Sequence, residues 1–385
     1  MHARRTMKSR IAFLGSRGIP AKYGGFETFA ERVAPALAAE GREVWVSCEG
    51  TAPPRPSEYE GVKLFYFPLK PFRRVFYETI YDIFSLLRAS LTCDCIIMLG
   101  YGAGFFFFIP KLFRKKIAVN VDGREWTREK YNSLEKTALH ANELFALRYA
   151  DMAIADARAI KRYLKESRGV EATFIPYGVD VPASAPWNLA KLRALHGASE
   201  LASLESSGYY LLVARLEREN NIDMIVEGFL AAGTDKQLII VGDFLDSNYQ
   251  SEIDDLISHY PANDRVTFVG AIYEKDALNM LRQHCFAYFH GHSAGGTNPS
   301  LLEAMITQNI IIAHDNPYNR EVCDRFALFF NDTTAVSTHI RSLEVHPDAY
   351  QKLRIGAFNR AKNDYSWSRV VQEYNVLFDD VLCKK

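Results

Sequence analysis

The sequence predicts an α/β protein of two consecutive domains, each a parallel sheet wrapped by helices. Three observations predict it. The chain of 385 residues is too long for one ordinary core and suits two domains of roughly 150 to 200 residues. Short apolar runs alternate with amphipathic stretches along almost its whole length, the rhythm of βαβ units and parallel strand pairing. Near the middle, Pro176, Pro182 and Pro186 interrupt that rhythm and place a linker at roughly 181 to 205.

The first run, "RIAFLG" at 10–15, reads as a buried strand because it ends at Gly and passes through a Gly-rich loop into a helix. That helix, "FETFAERVAPALAAEG", sets Phe26, Phe29, Val33 and Leu37 on one face and stops at Gly41. "EVWVSCEG" is the next strand. The rhythm continues through "VKLFYFP", a helix around "FYETIYDIFSLLRASL", the strand "CDCIIMLG", the segment "GFFFFIPKLF" and the strand "KIAVNVDG". "TALHANELFALRYAD" is a helix and "MAIAD" a strand, and "ATFIPYGVD" closes the first half. The second half runs through the strands "YYLLVARL", "QLIIVGD", "RVTFVG", "CFAYFHG" and "NIIIAHD", each followed by a helical pattern. A last helix, "SWSRVVQEYNVLFDDVL", spaces Trp367, Val370, Tyr374 and Leu377 as a packing face. The expected domains are therefore 1–185, 186–365 and a terminal helix, 366–385, that packs back towards the first. Two such sheets are expected to turn the carboxyl ends of their strands towards a central cleft, where sheets of this kind bind ligands.

Composition narrows the function. With 48% apolar and 24% charged residues and no low-complexity tract, the chain is globular. Cys48, Cys93, Cys95, Cys285, Cys323 and Cys383 follow no disulfide or zinc spacing, so reduced thiols in a cytoplasmic protein are expected. "IAFLGSRGIP" is too short and too soon broken to be a signal-peptide core, and no run reaches the roughly 18 apolar residues of a membrane span. The chain is expected neither to span a membrane nor to leave through one. Net charge is zero, yet residues 1–180 carry 28 Lys and Arg against 20 Asp and Glu (28 − 20 = +8), leaving 18 against 26 (18 − 26 = −8) for the rest. Such asymmetry fits an anionic partner for the first half or merely an uneven solvated surface. With neutral total charge and no recognised motif, nucleic acid is not an expected partner.

Four loops could carry chemistry. "GSRGIPAKYGGFETF" places Gly15, Gly18, Gly24 and Gly25, with Arg17 and Lys22, between a strand and a helix N-terminus. Such a loop lets backbone approach a ligand and offers N–H groups to polar oxygens. It is neither the dinucleotide fingerprint nor a P-loop, and tight structural turns would use some of the same glycines. In "VDGREWTREKY", Asp122 ends a strand and Glu125 and Trp126 follow at a helix start; Asp122 is a site residue or an N-cap. In "LLVARLERENN", Arg215 directly follows a core strand, where its fork of donors suits a diphosphate.

"HGHSAGGTNPSLLEAM" brings Gly295, Gly296, Thr297, Asn298, Ser300 and Leu301 to a helix start. These are positions whose N–H groups, with the helix dipole, cradle phosphate. Glu303 would repel a phosphate but accept from sugar hydroxyls beside it, a combination that means a nucleotide. A capping box of Ser300 and Glu303 accounts for the same pattern. His290 and His292 follow the preceding strand and are either site or structural residues.

Together these motifs resemble the family 4 glycosyltransferases of the GT-B fold over nearly the whole chain, and more narrowly a bacterial rhamnosyltransferase-like subgroup of polysaccharide biosynthesis. The resemblance implies two Rossmann-like domains with parallel sheets facing a central cleft. It implies a nucleotide-sugar donor held by the C-terminal domain and a saccharide acceptor, often lipid-diphosphate-linked, held by the N-terminal one. It also implies retention of configuration and no cofactor or metal requirement. The sugar it suggests is L-rhamnose from dTDP-rhamnose. By the same resemblance Arg215 matches the arginine that binds the donor diphosphate, Glu303 the glutamate that binds the ribose, and the Gly15 to Gly25 loop the one near the donor phosphate and sugar. Asn220 stands where many members carry a lysine, and Gly295 where the first glutamate of a paired motif would contact the donor sugar. Backbone N–H groups at 295–298 are expected to replace that glutamate.

Asp122, Arg215 and His292 are the expected catalytic residues, with Asp122 contacting or deprotonating the acceptor; Tyr23, Glu125 and Trp126 are the expected acceptor-side residues. A sugar-nucleotide epimerase or a non-catalytic nucleotide-sugar-binding protein would share much of this pattern. "KPFRRVFYETIYDIF" and "GFFFFIPKLFRKK" join aromatics to Lys70, Arg73, Arg74, Arg114, Lys115 and Lys116. That mixture suits an anionic membrane surface at the cytoplasmic face; a core role for Phe105 to Phe108 with a solvated basic rim is the alternative.

Overall fold

The computed structural model describes residues 9–21, 24–50, 55–68, 74–128, 131–196 and 204–383. The chain divides into two compact units, residues 1–178 with 367–385, and residues 179–366.

The first unit contains β1 (Arg10–Leu14), α1 (Gly25–Ala39), β2 (Glu43–Cys48), β3 (Glu58–Tyr59), β4 (Val62–Tyr66), α2 (Arg74–Thr92), β5 (Cys95–Leu99), α3 (Phe108–Leu112), β6 (Lys116–Val121), α4 (Ser133–Tyr149), β7 (Met152–Ala155), α5 (Arg158–Arg168) and β8 (Ala172–Phe174). Its eight strands lie in the order β3-β4-β2-β1-β5-β6-β7-β8, parallel except for the short β3–β4 pair. Ile11 to Leu14 are fully buried, as a strand covered by helices on both faces requires, so β1 reads as an unbroken apolar run.

The second unit contains α6 (Leu189–His196), β9 (Tyr209–Val213), α7 (Ile222–Ala232), β10 (Gln237–Val241), α8 (Ser247–Ser258), β11 (Val266–Phe268), α9 (Lys275–His284), β12 (Ala287–His290), α10 (Pro299–Ile306), β13 (Ile311–His314), α11 (Pro317–Cys323), β14 (Leu328–Phe330), α12 (Thr333–Val345) and α13 (Gln351–Asp364). Its six strands are all parallel in the order β11-β10-β9-β12-β13-β14. In each sheet the first strand of the unit sits inside: β1 between β2 and β5, β9 between β10 and β12. Chain order reverses there, leaving the loops after the two flanking strands diverging at their carboxyl ends.

The last helix, α14 (Trp367–Cys383), belongs to the first unit. Val370, Tyr374, Leu377 and Phe378 are buried; Tyr374 lies 5.1 Å from Phe29 and Phe378 meets Phe13 edge-on at 6.3 Å. Arg42 Nε donates to Asn375 Oδ1 at 2.7 Å and pins the helix from its polar side.

The run "GFFFFIPKLF" forms a 3₁₀ turn, Gly104–Phe107, and α3. It splits between core and surface: Phe107 is fully buried while Phe105 is half exposed against Phe145, 4.9 Å away. Leu87, Leu91, Leu112 and Phe113 are exposed on the same unit. The neighbouring cations are largely spent. Lys111 and Lys116 both pair with Asp151, and Lys115 with Asp94, while Arg114 stays exposed. Lys70 and Arg73 lie outside the described residues, as does the side chain of Arg74. Among the described residues no helix is long and apolar enough to cross a membrane, and Cys48, Cys93, Cys95, Cys285 and Cys323 are free and buried.

Candidate functional site

Because β9 and β12 pair directly, the segments that follow them must run side by side. Arg215 follows β9 and His292 follows β12, and the backbone between them is stitched. Ser293 N–H and Oγ–H both donate to the Glu219 carbonyl, at 2.8 and 2.9 Å. Asn221 Nδ2 donates to the Gly291 carbonyl at 2.7 Å. A Cβ at Gly291 would stand 1.8 Å from the Asn220 carbonyl oxygen, so only glycine admits this approach.

Asn220 sits at the centre of the stitch. Its side chain is buried; Nδ2 donates to the Arg215 carbonyl at 2.8 Å, which turns Oδ1 towards His292 Nδ1 at 3.0 Å. An amide oxygen can only accept, so His292 Nδ1 carries the proton and Nε2 holds the lone pair in the neutral ring. The position of the expected lysine is thus an inward-facing polar bridge. The Arg215 guanidinium is 40% exposed, with the Glu217 carboxylate 3.8 Å away.

His292 is held from a second side. Asn316 and Asn319 donate their Nδ2 groups to its carbonyl at 2.9 Å each, and Asn316 also N-caps α11 through Tyr318 and Asn319 N–H. Sequence reasoning passed over both. Their signal was present in "HDNPYN", which repeats after β13 the Asn-Pro helix start found after β12. His290 is fully buried, and its Nε2 has no partner among the described residues. Burial, then the neighbouring His292 and His314 rings, hold its imidazole well below the ordinary range, so it is neutral at pH 7.

The turn 294–297 leads into α10. Gly295 adopts φ +98°, and a Cβ there would come 3.3 Å from His292 Nε2, so the imidazole edge occupies space beside the position where a carboxylate was expected. The N-cap is Asn298, not Ser300: Asn298 Oδ1 accepts the Ser300 N–H at 2.9 Å, and Pro299 takes the first helical position. Pro lacks the N–H of an interior residue, so the helix begins two residues earlier than a Ser300 capping box requires. Leu301 N–H goes to the Asn298 carbonyl at 3.2 Å. Two expected cradle donors, at Ser300 and Leu301, are therefore engaged inside the loop. Ser300 Oγ meets the Tyr288 hydroxyl and donates to the Val213 carbonyl at 3.0 Å, tying α10 to β9 and β12. Thr297 is buried. Glu303 remains 41% exposed, with one carboxylate oxygen 2.6 Å from Arg282 Nη2.

In the first unit Gly15, Gly18 and Gly24 have packing reasons. A Cβ at Gly15 would stand 2.3 Å from the Leu99 carbonyl oxygen, at Gly18 against Cys48, and at Gly24 against the Glu27 carboxylate. Glu27 accepts the Arg17 N–H at 2.8 Å and Glu31 the Ala21 N–H at 2.9 Å, so two loop donors are met by acids of α1, which Gly25 opens. Tyr23 and Lys22 lie outside the described residues.

Asp122 follows β6, half-buried, near the Tyr177 phenol, which burial and then the Asp122 and Asp156 carboxylates hold un-ionised. Glu125 is met by Arg128 Nη1 at 2.9 Å. Tyr101 braces the loop between them, donating to the Gly123 carbonyl at 2.8 Å and accepting the Glu125 N–H at 2.7 Å. Trp126 is anchored on Glu143. That carboxylate, fully buried on α4, accepts from Trp126 Nε1 at 2.8 Å, Tyr163 Oη at 2.6 Å and Arg168 Nε at 2.6 Å. Glu143 and Tyr101 were not legible as site-supporting residues, since each stands in an ordinary helical or strand-end context.

Two α/β units on parallel sheets, the second with an arginine, a histidine and a small-residue helix start at its switch point, define a protein of the GT-B class. In the second unit this is more than a likeness of shape. Residues 199–360 match the model of Glycosyl transferases group 1, and residues 8–180 match a domain of unknown function, DUF1972. Among curated proteins no sequence matches. Among solved structures the chain is similar to sucrose-phosphate synthase from Thermosynechococcus elongatus at 18% identity and TM-score 0.79, covering 98% of this chain and 100% of that one. It is similar to Anabaena HepE in complex with UDP-glucose at 16% and 0.76, covering 97% and 100%. It is also similar to the UDP-forming α,α-trehalose-phosphate synthase from Burkholderia vietnamiensis at 14% and 0.71, covering 97% and 100%. The chain has the GT-B fold, and its second unit carries a glycosyl transferases group 1 domain.

Proposed function

We propose that the protein transfers a sugar from a nucleoside-diphosphate donor to a saccharide hydroxyl. The observation that carries this reading is the stitched pair of segments after β9 and β12. It brings Arg215, His292 and the 295–298 turn to the carboxyl ends of two neighbouring strands, with Glu303 about one helical turn on. Arg215 and the turn suit a diphosphate; Glu303 suits nucleotide hydroxyls.

The reaction breaks the bond from the anomeric carbon to the diphosphate oxygen, joins that carbon to the acceptor oxygen and releases the acceptor's proton. Negative charge grows on the leaving diphosphate, so the cationic and dipolar groups that meet it lower the barrier most. Arg215 and the helix dipole of α10 supply this without a metal. His292, with its lone pair on Nε2, is placed to accept a hydrogen bond from a donor-sugar hydroxyl beside Gly295. Asp122 is the residue proposed to receive the acceptor's proton, with Tyr23, Glu125 and Trp126 on the acceptor side. The finer reading is retention of configuration, L-rhamnose from dTDP-rhamnose as donor, and a lipid-diphosphate saccharide of a cell-surface polysaccharide as acceptor, met at the cytoplasmic membrane face. Exposed Leu87, Leu91, Leu112 and Phe113 support a membrane contact, and the pairing of Lys111, Lys115 and Lys116 makes it more apolar than electrostatic.

The test is a thermal-shift screen of purified protein against nucleotide sugars, followed by measurement of nucleoside diphosphate release with saccharide acceptors. Stabilisation by one donor and acceptor-dependent release support the reading. Donor conversion without any acceptor, or binding with no release across the acceptor set, would overturn it.

A further inference from the structure

Arg282 lies in the last turn of α9, and its side chain is 5% exposed. Its Nη2 lies 2.6 Å from Glu303 Oε2 on α10, and its Nε has no partner among the described residues. Near it stand the neutral phenol of Tyr288, which burial holds un-ionised, and the thiol of Cys285, whose hydrogen goes to Asn309 at 2.9 Å. A guanidinium taken out of water needs a counter-charge, and the one it meets here is Glu303. The tie works in both directions. Arg282 needs the carboxylate, and the carboxylate loses the rotamers that would carry it away from Arg282.

We infer that Arg282 is the positioning residue for Glu303, holding that carboxylate by one oxygen so that its remaining lone pairs face the nucleotide as fixed acceptors. The inference rests on the nucleotide-sugar reading above and sharpens its substrate class. A carboxylate tethered to a buried cation cannot swing aside for an anion, so the group it receives must bring O–H donors. The pentose hydroxyls of a nucleoside diphosphate, the 3′-hydroxyl of a deoxyribose included, do so. Because the side chain is ordered before the ligand arrives, its ordering is not charged against binding. Arg282 therefore acts on donor affinity and not on the reacting bond.

The test uses the full chain as wild type, Arg282→Lys, Arg282→Met and Arg282→Met combined with Glu303→Met. UDP, 3′-deoxy-UDP and dTDP serve as binding probes, and donor KM and kcat are measured with whichever nucleotide sugar turns over. Expected is a rise in donor KM and diphosphate Kd of about tenfold or more in Arg282→Met, with kcat within about threefold, the pattern of lost uniform binding. Wild type is expected to prefer UDP over 3′-deoxy-UDP, Arg282→Met to lose that preference, and Arg282→Lys to regain part of it. If Arg282→Met does not fold, the Lys variant and the wild-type preference carry the test, and the double variant, which removes both charges, is expected to fold and to bind UDP weakly. Unchanged KM and unchanged hydroxyl preference in folded Arg282 variants would overturn the assignment, as would a fall in kcat alone. A wild type that binds none of the three diphosphates would instead overturn the nucleotide-sugar reading beneath it.

Discussion

Asn220 joins Arg215 to His292: its amide donates to the backbone carbonyl of one and accepts from the ring of the other, at 2.8 and 3.0 Å. Asn220→Ala leaves both groups without their partner in a buried place, costing roughly 1 to 3 kcal/mol. It also frees the imidazole to rotate and exchange tautomers. We expect kcat to fall about tenfold or more, with a lower midpoint of urea unfolding. Asn220→Lys is expected to weaken diphosphate binding, because the position faces inward; titration with UDP that showed tighter binding would refute the bridge.

Arg215→Ala is expected to lower turnover by roughly 10²-fold or more, the scale of one lost donor at developing charge. Its side chain is 40% exposed and stands outside the stitched backbone, so thermal stability should barely change. Steady-state kinetics beside a melting curve separate the two. Turnover close to wild type would remove Arg215 from the mechanism.

Asp122→Asn keeps the shape at the end of β6 but cannot take a proton. Expected is a loss of acceptor-dependent turnover of about 10²-fold, within the range of general-base catalysis, with donor binding retained. Normal acceptor kinetics would mean that Asp122 serves only the loop.

Glu143→Ala strands Arg168 and the Trp126 indole around a buried hole, and breaking such a pair from one side costs about 3 to 5 kcal/mol. Trp126→Phe removes only the indole N–H. We expect it to raise the acceptor KM several-fold while leaving donor affinity alone, which parallel titrations of the two substrates would check. An unaltered acceptor KM would show that the Glu143 anchor is purely a matter of stability.

His290 gives the protein an acid-sensitive core. Burial, then His292 and His314, depress its pKa in the folded chain, whereas unfolded histidine titrates near pH 6.5. Below about 6.5 the unfolded chain binds the proton and the folded one does not, so stability is full above that pH and falls as pH drops through it, by at most about 1.4 kcal/mol per unit. His290→Phe should flatten this slope between pH 8 and 5 in urea titrations, apart from the smaller share of His314, which is also depressed. Parallel slopes for the two proteins would place the acid sensitivity elsewhere.

Much of this molecule is legible one residue at a time. The alternation of apolar runs and helical faces determines two parallel-sheet units, because a strand covered on both sides must be apolar throughout and a covering helix apolar on one side. The positions of Arg215, His292 and Asp122 at strand ends follow from the same reading. Strand order is another matter: that β12 lies against β9 depends on which crossovers pack, and it alone brings Asn220 to His292 across 72 residues of chain. The glycines show the same limit. Four in one loop read as a ligand site, yet three stand where a Cβ would strike Leu99, Cys48 or Glu27, contacts made by residues near and far in the chain. The helix start after β12 moved from Ser300 to Asn298 because capping depends on local torsion. Glu303 acquired its cation only when folding brought α9 and α10, which flank β12 in the chain, together at Arg282. Local pattern determines what each segment is; the partners of a buried polar group are decided by tertiary packing, since its energy depends on neighbours that sequence distance does not encode.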